Sequence, residues 1–422
     1  MRLNNEPRFL WLAQMNEPPQ SRYRWIIQSL LITAQLCIGV NVLAPAPLFP
    51  LIMEEYGLER ATVSILVVVM ALMIAVGNIP SGILAAKFGI YRTFAIGSLL
   101  MSAGIVAPLM PNFVGHIIWR IVFAFGVGLV IPLVGAIGSQ WFDRKELPIV
   151  NGTNWMGQIG GMSLSMFIAV PVSSYIGWKF TLSIFGCVAL LGAFAWLMLG
   201  KNQSVSKAEH ASLSTTKLLS VLNEKTTILI SLALIGPLFT YLTLSAWLPT
   251  YYNEVFGFDL ARAGMITALA PLAGLIASPV SGLLSTKLGV RKPFLIGSGF
   301  LFILCAFGTF SINDVRIIQA AVIGLGIAMW TFFPMIFNVA TELPGKSATQ
   351  IAMVLSVGLA VGNLSSLGGP LLVGLTTDSL GTYIPSFTLL ALMPILMIIA
   401  STFLPETGPR GSNSSLWTSH HG

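Results

Sequence analysis

Apolar positions along this chain gather into twelve long runs, near residues 25–48, 61–84, 93–110, 114–138, 148–174, 179–200, 227–251, 262–285, 293–311, 316–340, 347–375 and 384–404, with short polar connections between them. A helix crossing hydrocarbon needs about 20 apolar residues, so each run predicts one membrane-spanning helix. The pattern is also duplicated. Residues 81–98, SGILAAKFGIYRTFAIGS, return without a gap at 281–298 as SGLLSTKLGVRKPFLIGS, and Glu54, Gly57 and Ala61 return as Glu254, Gly257 and Ala261. Six runs fall in each copy. The predicted fold is an all-α membrane protein of twelve transmembrane helices in two pseudo-symmetric six-helix bundles, and such a repeat points to a transporter whose halves rock about a central cavity.

The expected organisation is an N-terminal segment 1–24, a first bundle 25–200, a linker 201–226, a second bundle 227–404 and a tail 405–422. The linker is the one long polar connection, and its Ser, Thr and Lys content suits a solvated tether. Pairs of glycines four apart, Gly157 with Gly161 and Gly358 with Gly362, stand at equivalent places in the fifth and eleventh runs and predict close helix contact.

Hydrophobic residues make up 55% of the chain and charged residues 9%, against the quarter or so of charged residues in a soluble domain. Mean hydropathy is +0.84. The net charge of +7 does not signal nucleic acid, because the basic residues are one-sided. With the N-terminus inside, seventeen of the 22 Lys and Arg are cytoplasmic, Arg60, Lys179, Arg262 and Arg316 are external, and Arg120 lies within a span. That bias predicts both termini in the cytoplasm. The compact loops and the lack of a long targeting segment suggest a prokaryotic inner membrane, and a monomer is expected. Cys37, Cys187 and Cys305 all fall inside spans and the four histidines are scattered, so no disulfide framework, metal or cofactor is expected. Gly345-Lys346-Ser347 lacks the earlier glycine of a phosphate-binding loop, Ala340 standing there, which excludes ATP-driven transport by this chain alone.

The duplicated loops Gly82 to Arg92 and Gly282 to Lys292 resemble the signature loop of the major facilitator superfamily, G-x-L-a-D-r-x-G-r-k. Arg120 followed by Gly126 and Gly128, Ile176-Gly177-Trp178-Lys179-Phe180, and Leu404-Pro405-Glu406-Thr407-Gly408 are also similar to family segments. The resemblance implies that Gly82, Lys87, Gly89, Arg92 and, in the second copy, Gly282, Lys287, Gly289 and Arg291 govern loop geometry and gating, the glycines permitting a tight turn with close helix contact. One departure stands out: the acid of the signature loop is Ala86 here and Thr286 in the second copy. Gating must then use other contacts, such as Lys87 or Arg92 with helix ends or Asp143.

Arg120 is the one charged side chain well inside a span, about 10 Å from the outer end of the fourth helix. A charge there is by default a functional candidate. It either faces a cavity and pairs with an anionic solute through its planar donor fork, or bonds helix carbonyls or polar groups such as Asn41 and Gln35. His116, one turn earlier, and Glu54 and Glu254, equivalent across the repeat at the outer mouth, are the candidate proton sites, although no acid sits deep in a span. Ordinary solvated or interfacial roles account for all three as well. Polar stripes at helical spacing place Asn151, Asn154, Gln158 and Ser165 on one face of the fifth helix and Gln28 with Gln35 on the first. Because the resemblance implies that the first, fourth, seventh and tenth helices line the cavity, Gln35, Arg120, Tyr241, Ser245, Trp330 and Asn338, with Asn154 and Gln158, are the candidate solute contacts.

The expected function is transport of a small solute, an organic or inorganic anion, by alternating access, with lipid as the surrounding solvent and protons as a candidate co-substrate. Trp247 to Tyr252 is weakly similar to segments of the cyanate, nitrate/nitrite and anion-symporter branches. The alternatives are an exporter of neutral or lipophilic compounds and, in a different class, a non-transporting membrane sensor or scaffold. No nucleophile and base pair can be placed at one membrane depth, so an enzyme is not expected.

Overall fold

In the computed structural model, residues 22–143, 146–201, 223–343 and 348–408 are described. Most of the predicted linker, N-terminal segment and tail lies outside these residues. The first half holds α1 (Tyr23–Val42), α2 (Phe49–Tyr56), α3 (Arg60–Phe88), α4 (Ile90–Leu100), α5 (Phe113–Trp141), α6 (Leu147–Ile176) and α7 (Trp178–Leu199). The second holds α8 (Lys225–Glu254), α9 (Leu260–Leu288), α10 (Lys292–Gly308), α11 (Val315–Thr341), α12 (Ala348–Leu380), α13 (Ile384–Leu392) and α14 (Ile395–Phe403). Three predicted spans are built from two pieces: α1 with α2, α4 with the 3₁₀ turn Met101–Leu109, and α13 with α14. Eleven helical stretches among the described residues are long and apolar enough to cross a membrane, and α10, at 17 residues, is the short twelfth.

Sequence sets the helix ends. Asn112, Asp259 and Asp314 accept hydrogen bonds from the first free N–H groups of α5, α9 and α11, which would otherwise be orphaned. Six glycines have positive φ and they pair across the repeat: Gly57 with Gly257, Gly89 with Gly289, and Gly177 with Gly381. Each closes the same helix of its half, where a left-handed residue is needed and a Cβ would be strained.

Packing repeats the same symmetry. In the first half α1 lies along α6 and α3 along α5; in the second α8 lies along α12 and α9 along α11. The predicted glycine pairs sit in two of these seams. A Cβ on Gly157 or Gly161 would reach Ile32 O at 2.8 Å or Leu36 O at 2.4 Å on α1, and one on Gly358 or Gly362 would meet Leu234 and Leu238 on α8. The halves touch through α3 with α12 and α6 with α9. With little hydrophobic gain to be had between helices in lipid, this close approach supplies the packing.

Candidate functional site

Arg120 does not offer its guanidinium to a cavity, which corrects the first of the two expectations for it. It is 0% exposed, and Nη1 donates to Asn41 O at 2.8 Å, Nη2 to Val42 O at 2.9 Å and Nε to Leu66 O at 3.2 Å. The cause is written in α1. Asn41 O would normally accept from the N–H four residues on, but that residue is Pro45 and has none. Val42 O is orphaned as well, since the Ala46 N–H turns to Leu43 O. Arg120 thus closes the C-terminus of α1 and ties it to α3, a favourable place for a cation. The Asn41 side chain is spent too, donating to Cys37 O and Phe185 O.

The polar stripe divides into two uses. Gln28 Nε2 donates to Val150 O, Thr153 Oγ1 and Asn154 Oδ1, gluing α1 to α6. Ser165 turns back to Met162 O, and Asn151 is exposed. Near the level where Ile32 and Leu36 meet Gly157 and Gly161, the carbonyl oxygens of Gln35 and Gln158 are buried and have no hydrogen-bond partner, and the Asn154 amide nitrogen is in the same state. Buried amide groups left open are uncommon.

The second half contributes an aromatic cluster. Trp330 Nε1 donates to Tyr241 Oη at 3.4 Å, and its indole fills a notch in α9 where a Cβ on Gly274 would lie 2.1 Å from the ring. Trp330 also meets Phe333 edge-on, and Phe333 meets Trp155 of the first half at 5.4 Å between centroids. Trp155 and Phe333 are both half-buried. Neither was singled out from the sequence, although Trp155 lies one residue after Asn154 and Phe333 three after Trp330. Ser245 is buried one turn beyond Tyr241, and Asn338 is half-buried at the other end of α11.

The proton candidates separate. His116 is buried in the first half, its Nδ1 accepting from Trp119 Nε1 at 3.1 Å and its Nε2 lying 3.0 Å from Tyr56 Oη. An indole N–H only donates, so Nδ1 carries no proton and Nε2 does. Trp178, Glu55 and Lys179 complete this box, Glu55 accepting from the Trp178 indole and pairing with Lys179. Glu54 is exposed, with no ion pair among the described residues. Its repeat mate Glu254 instead bridges the two halves: Arg60 Nη2 lies 2.7 Å from Glu254 Oε2, and Arg60 Nη1 lies 3.4 Å from Asp378 Oδ1.

Among the signature-loop residues, Gly89 and Gly289 have φ of +87° and +68° and stand at the C-caps of α3 and α9. Gly82 and Gly282 do not fit the expectation of close helix contact, since a Cβ on either would meet nothing within 4 Å. Lys87, Arg92 and Lys287 are exposed and have no ion pair among the described residues, and Lys87 lies in the last turn of α3. Arg291 differs. It is buried, clasps Glu342 with Nε and Nη2 at 3.2 and 2.8 Å, and donates through Nη1 to Ser285. Glu406 of the Leu404 to Gly408 segment accepts from the Arg291 and Lys292 backbone N–H groups, so it caps α10. No group of three or more potential metal ligands occurs among the described residues.

The model of the Major Facilitator Superfamily matches residues 31–362 and 259–420, covering both copies of the repeat. The chain is 26% identical over 390 residues to a probable nitrate/nitrite antiporter of Thermus thermophilus, covering 84% of each protein. It is 24% identical over 400 residues to a probable sulfoacetate transporter of Cupriavidus necator, covering 86% of this chain and 89% of that protein. An uncharacterized protein of Campylobacter jejuni is 25% identical over 307 residues, which cover 71% of this chain and 95% of that protein. With two equivalent helical bundles, glycine turns repeated in each and a family match over both, the chain belongs to the Major Facilitator Superfamily: it is a multi-pass membrane transporter, not an enzyme.

Proposed function

We propose that the protein carries small organic anions across the membrane by alternating access, each half moving as a body about a site at mid-depth. The observation that carries this reading is the meeting of groups from both halves, Trp155 of the first against Phe333 of the second; Phe333 also meets Trp330, which bonds Tyr241, and Gln158, with an open carbonyl oxygen, lies one turn from Trp155 on α6. Relatives named for nitrate/nitrite and sulfoacetate transport, and others named for glutamate and hexuronate, favour an anion. Arg120 serves it only indirectly, by fixing α1. The open Asn154 amide nitrogen is a neutral donor for a carboxylate or sulfonate oxygen, and the open side-chain carbonyl oxygens of Gln35 and Gln158 would accept from a hydroxyl or amine on the solute's body. The aromatic rings would take the apolar body. A proton, if carried, travels on the solute, because His116 is bonded at both ring nitrogens and Glu254 is paired. The working arrangement is a monomer in a prokaryotic inner membrane with both termini inside.

The aromatic cluster also suits a second reading, export of a neutral or lipophilic compound, since no Lys or Arg stands in it among the described residues. Uptake into proteoliposomes of radiolabelled sulfoacetate, glutamate, glucuronate and nitrate separates the two. Saturable uptake of one of the organic anions, with its KM raised by Trp155→Ala or Gln158→Ala, supports the proposal. No uptake of any of them turns the reading to export.

A further inference from the structure

We propose that Arg60, Glu254, Asp378 and Tyr383 form a latch that holds the two halves shut at the predicted outer face, and that its rupture is what opens the central site to that side. The proposal rests on the alternating-access reading. Arg60 begins α3 in the first half, and the other three belong to the second. Arg60 Nε donates to Tyr383 Oη at 3.0 Å, the Tyr383 hydroxyl donates to Glu254 Oε2 at 2.8 Å, and both carboxylates pair with the guanidinium.

Asp378 does more than pair. Its Oδ2 accepts from Ala61 N at 2.9 Å and its Oδ1 from Arg60 N at 3.3 Å. Glu59, at the N-cap position of α3, makes no capping bond with its own side chain. The second half therefore caps a helix of the first, and those N–H groups lose their partner when the halves part. One turn before Asp378, a Cβ on Gly374 would lie 2.5 Å from Ala61 Cα, so the two backbones meet directly beneath the ions.

A contact that breaks in every cycle must not be too strong. A cavity of about 480 Å³, lined in part by Arg60, Tyr251, Glu254, Thr377 and Tyr383, opens beside the latch, and the Arg60 and Glu254 side chains are 33% and 25% exposed. The charges can separate into water, where such pairs are worth little. At the opposite face, no ion pair between the halves is found among the described residues: Arg24–Glu146 lies within the first and Arg291–Glu342 within the second. Ala86 and Thr286 stand where the signature loops would carry acids. Among the described residues, the ionic contacts between the halves are thus at one face.

The test is the distance between nitroxides at Pro111→Cys and Asn313→Cys, exposed positions on the same face of the two halves, in full-length protein with Cys37, Cys187 and Cys305 replaced by Ala, reconstituted in liposomes. The parent should be mainly in the short-distance state. Glu254→Gln and Asp378→Asn should each raise the long-distance population about two- to fivefold, the range for one partly exposed pair. Asp378→Ala should do more than Asp378→Asn, because Asn still caps. The charge-swapped pair Arg60→Glu with Glu254→Arg should return part of the short distance, which a merely misfolded protein would not. Monodisperse elution of each variant confirms folding. An unchanged distribution in Asp378→Ala and Arg60→Gln overturns the latch. Uptake of the same anions in the same liposomes keeps the two ideas apart: an opened face with no flux leaves the latch standing and sinks the transport reading, whereas normal flux with unmoved distances does the reverse.

Discussion

Arg120 shows how a single side chain can be legible as important while its position alone leaves two tasks open. Its depth in a span marked it, but the deciding feature is Pro45, 75 positions away, which strips Asn41 O of its helical partner. Replacing Arg120 with Gln leaves at least one buried carbonyl unpaired, at about 1–3 kcal/mol each. The detergent-solubilised protein should melt several degrees lower, and flux per folded molecule should survive; its loss in well-folded Arg120→Gln would return the residue to the solute site. Glycines separate just as sharply. Gly274→Ala drives a Cβ into Trp330 and should cost the Trp330–Tyr241 bond and most of the uptake. Gly282→Ala meets open space, replaces the poorer helix former, and should leave uptake and melting temperature unchanged or slightly raised.

Helix seams carry the next level. The equivalent glycine pairs look alike in sequence, yet their neighbours differ in what can yield. A Cβ on Gly161 would lie 2.4 Å from Leu36 O and 2.8 Å from Val40 N, both backbone, whereas one on Gly358 would meet the Leu234 and Ile230 side chains at 3.0 and 3.1 Å. Side-chain ends can turn away and a packed backbone cannot, so Gly161→Ala should lower thermal stability by about 1–3 kcal/mol and Gly358→Ala by less than half as much. Equal losses in a melting comparison would contradict this. The Glu406 cap works at the same scale: removing it by Glu406→Ala should cost about 1 kcal/mol, read as a lower melting temperature, and faster hydrogen exchange in the first turn of α10 should accompany it.

At the scale of the whole molecule, the contacts between halves decide which face is shut. Tyr383, in the turn between α12 and α13, is pushed well above the ordinary tyrosine range by its burial and by the Glu254 carboxylate beside it. A raised phenol stays a neutral donor, so its hydrogen bond to Glu254 is fully present below the ordinary value near 10 and is lost only as pH rises through the still higher folded value. With Arg60, Glu254, Asp378 and Tyr251 around it, the short nitroxide distance should be flat from pH 7 to about 9.5, and Tyr383→Phe should lengthen it at every pH. A transition within that window would show that another group governs closure.

The repeat, the apolar runs and the one-sided charges were enough to derive a duplicated twelve-helix transporter, because span length and helix-end chemistry are local and hydrocarbon leaves few other ways to satisfy a backbone. Gly89 and its mate Gly289 were readable as turn residues of the duplicated loop. The partners of Arg120, the pairing of Trp155 with Phe333, and the convergence of Arg60 on Glu254 and Asp378 were not readable, since each joins residues 50 to more than 300 positions apart. Glu54 and Glu254 occupy equivalent places in the repeat, and only Glu254 meets a guanidinium. Arg60 is itself unmatched in the repeat, Leu260 standing in its place, and only the interface between the halves brings it against Glu254.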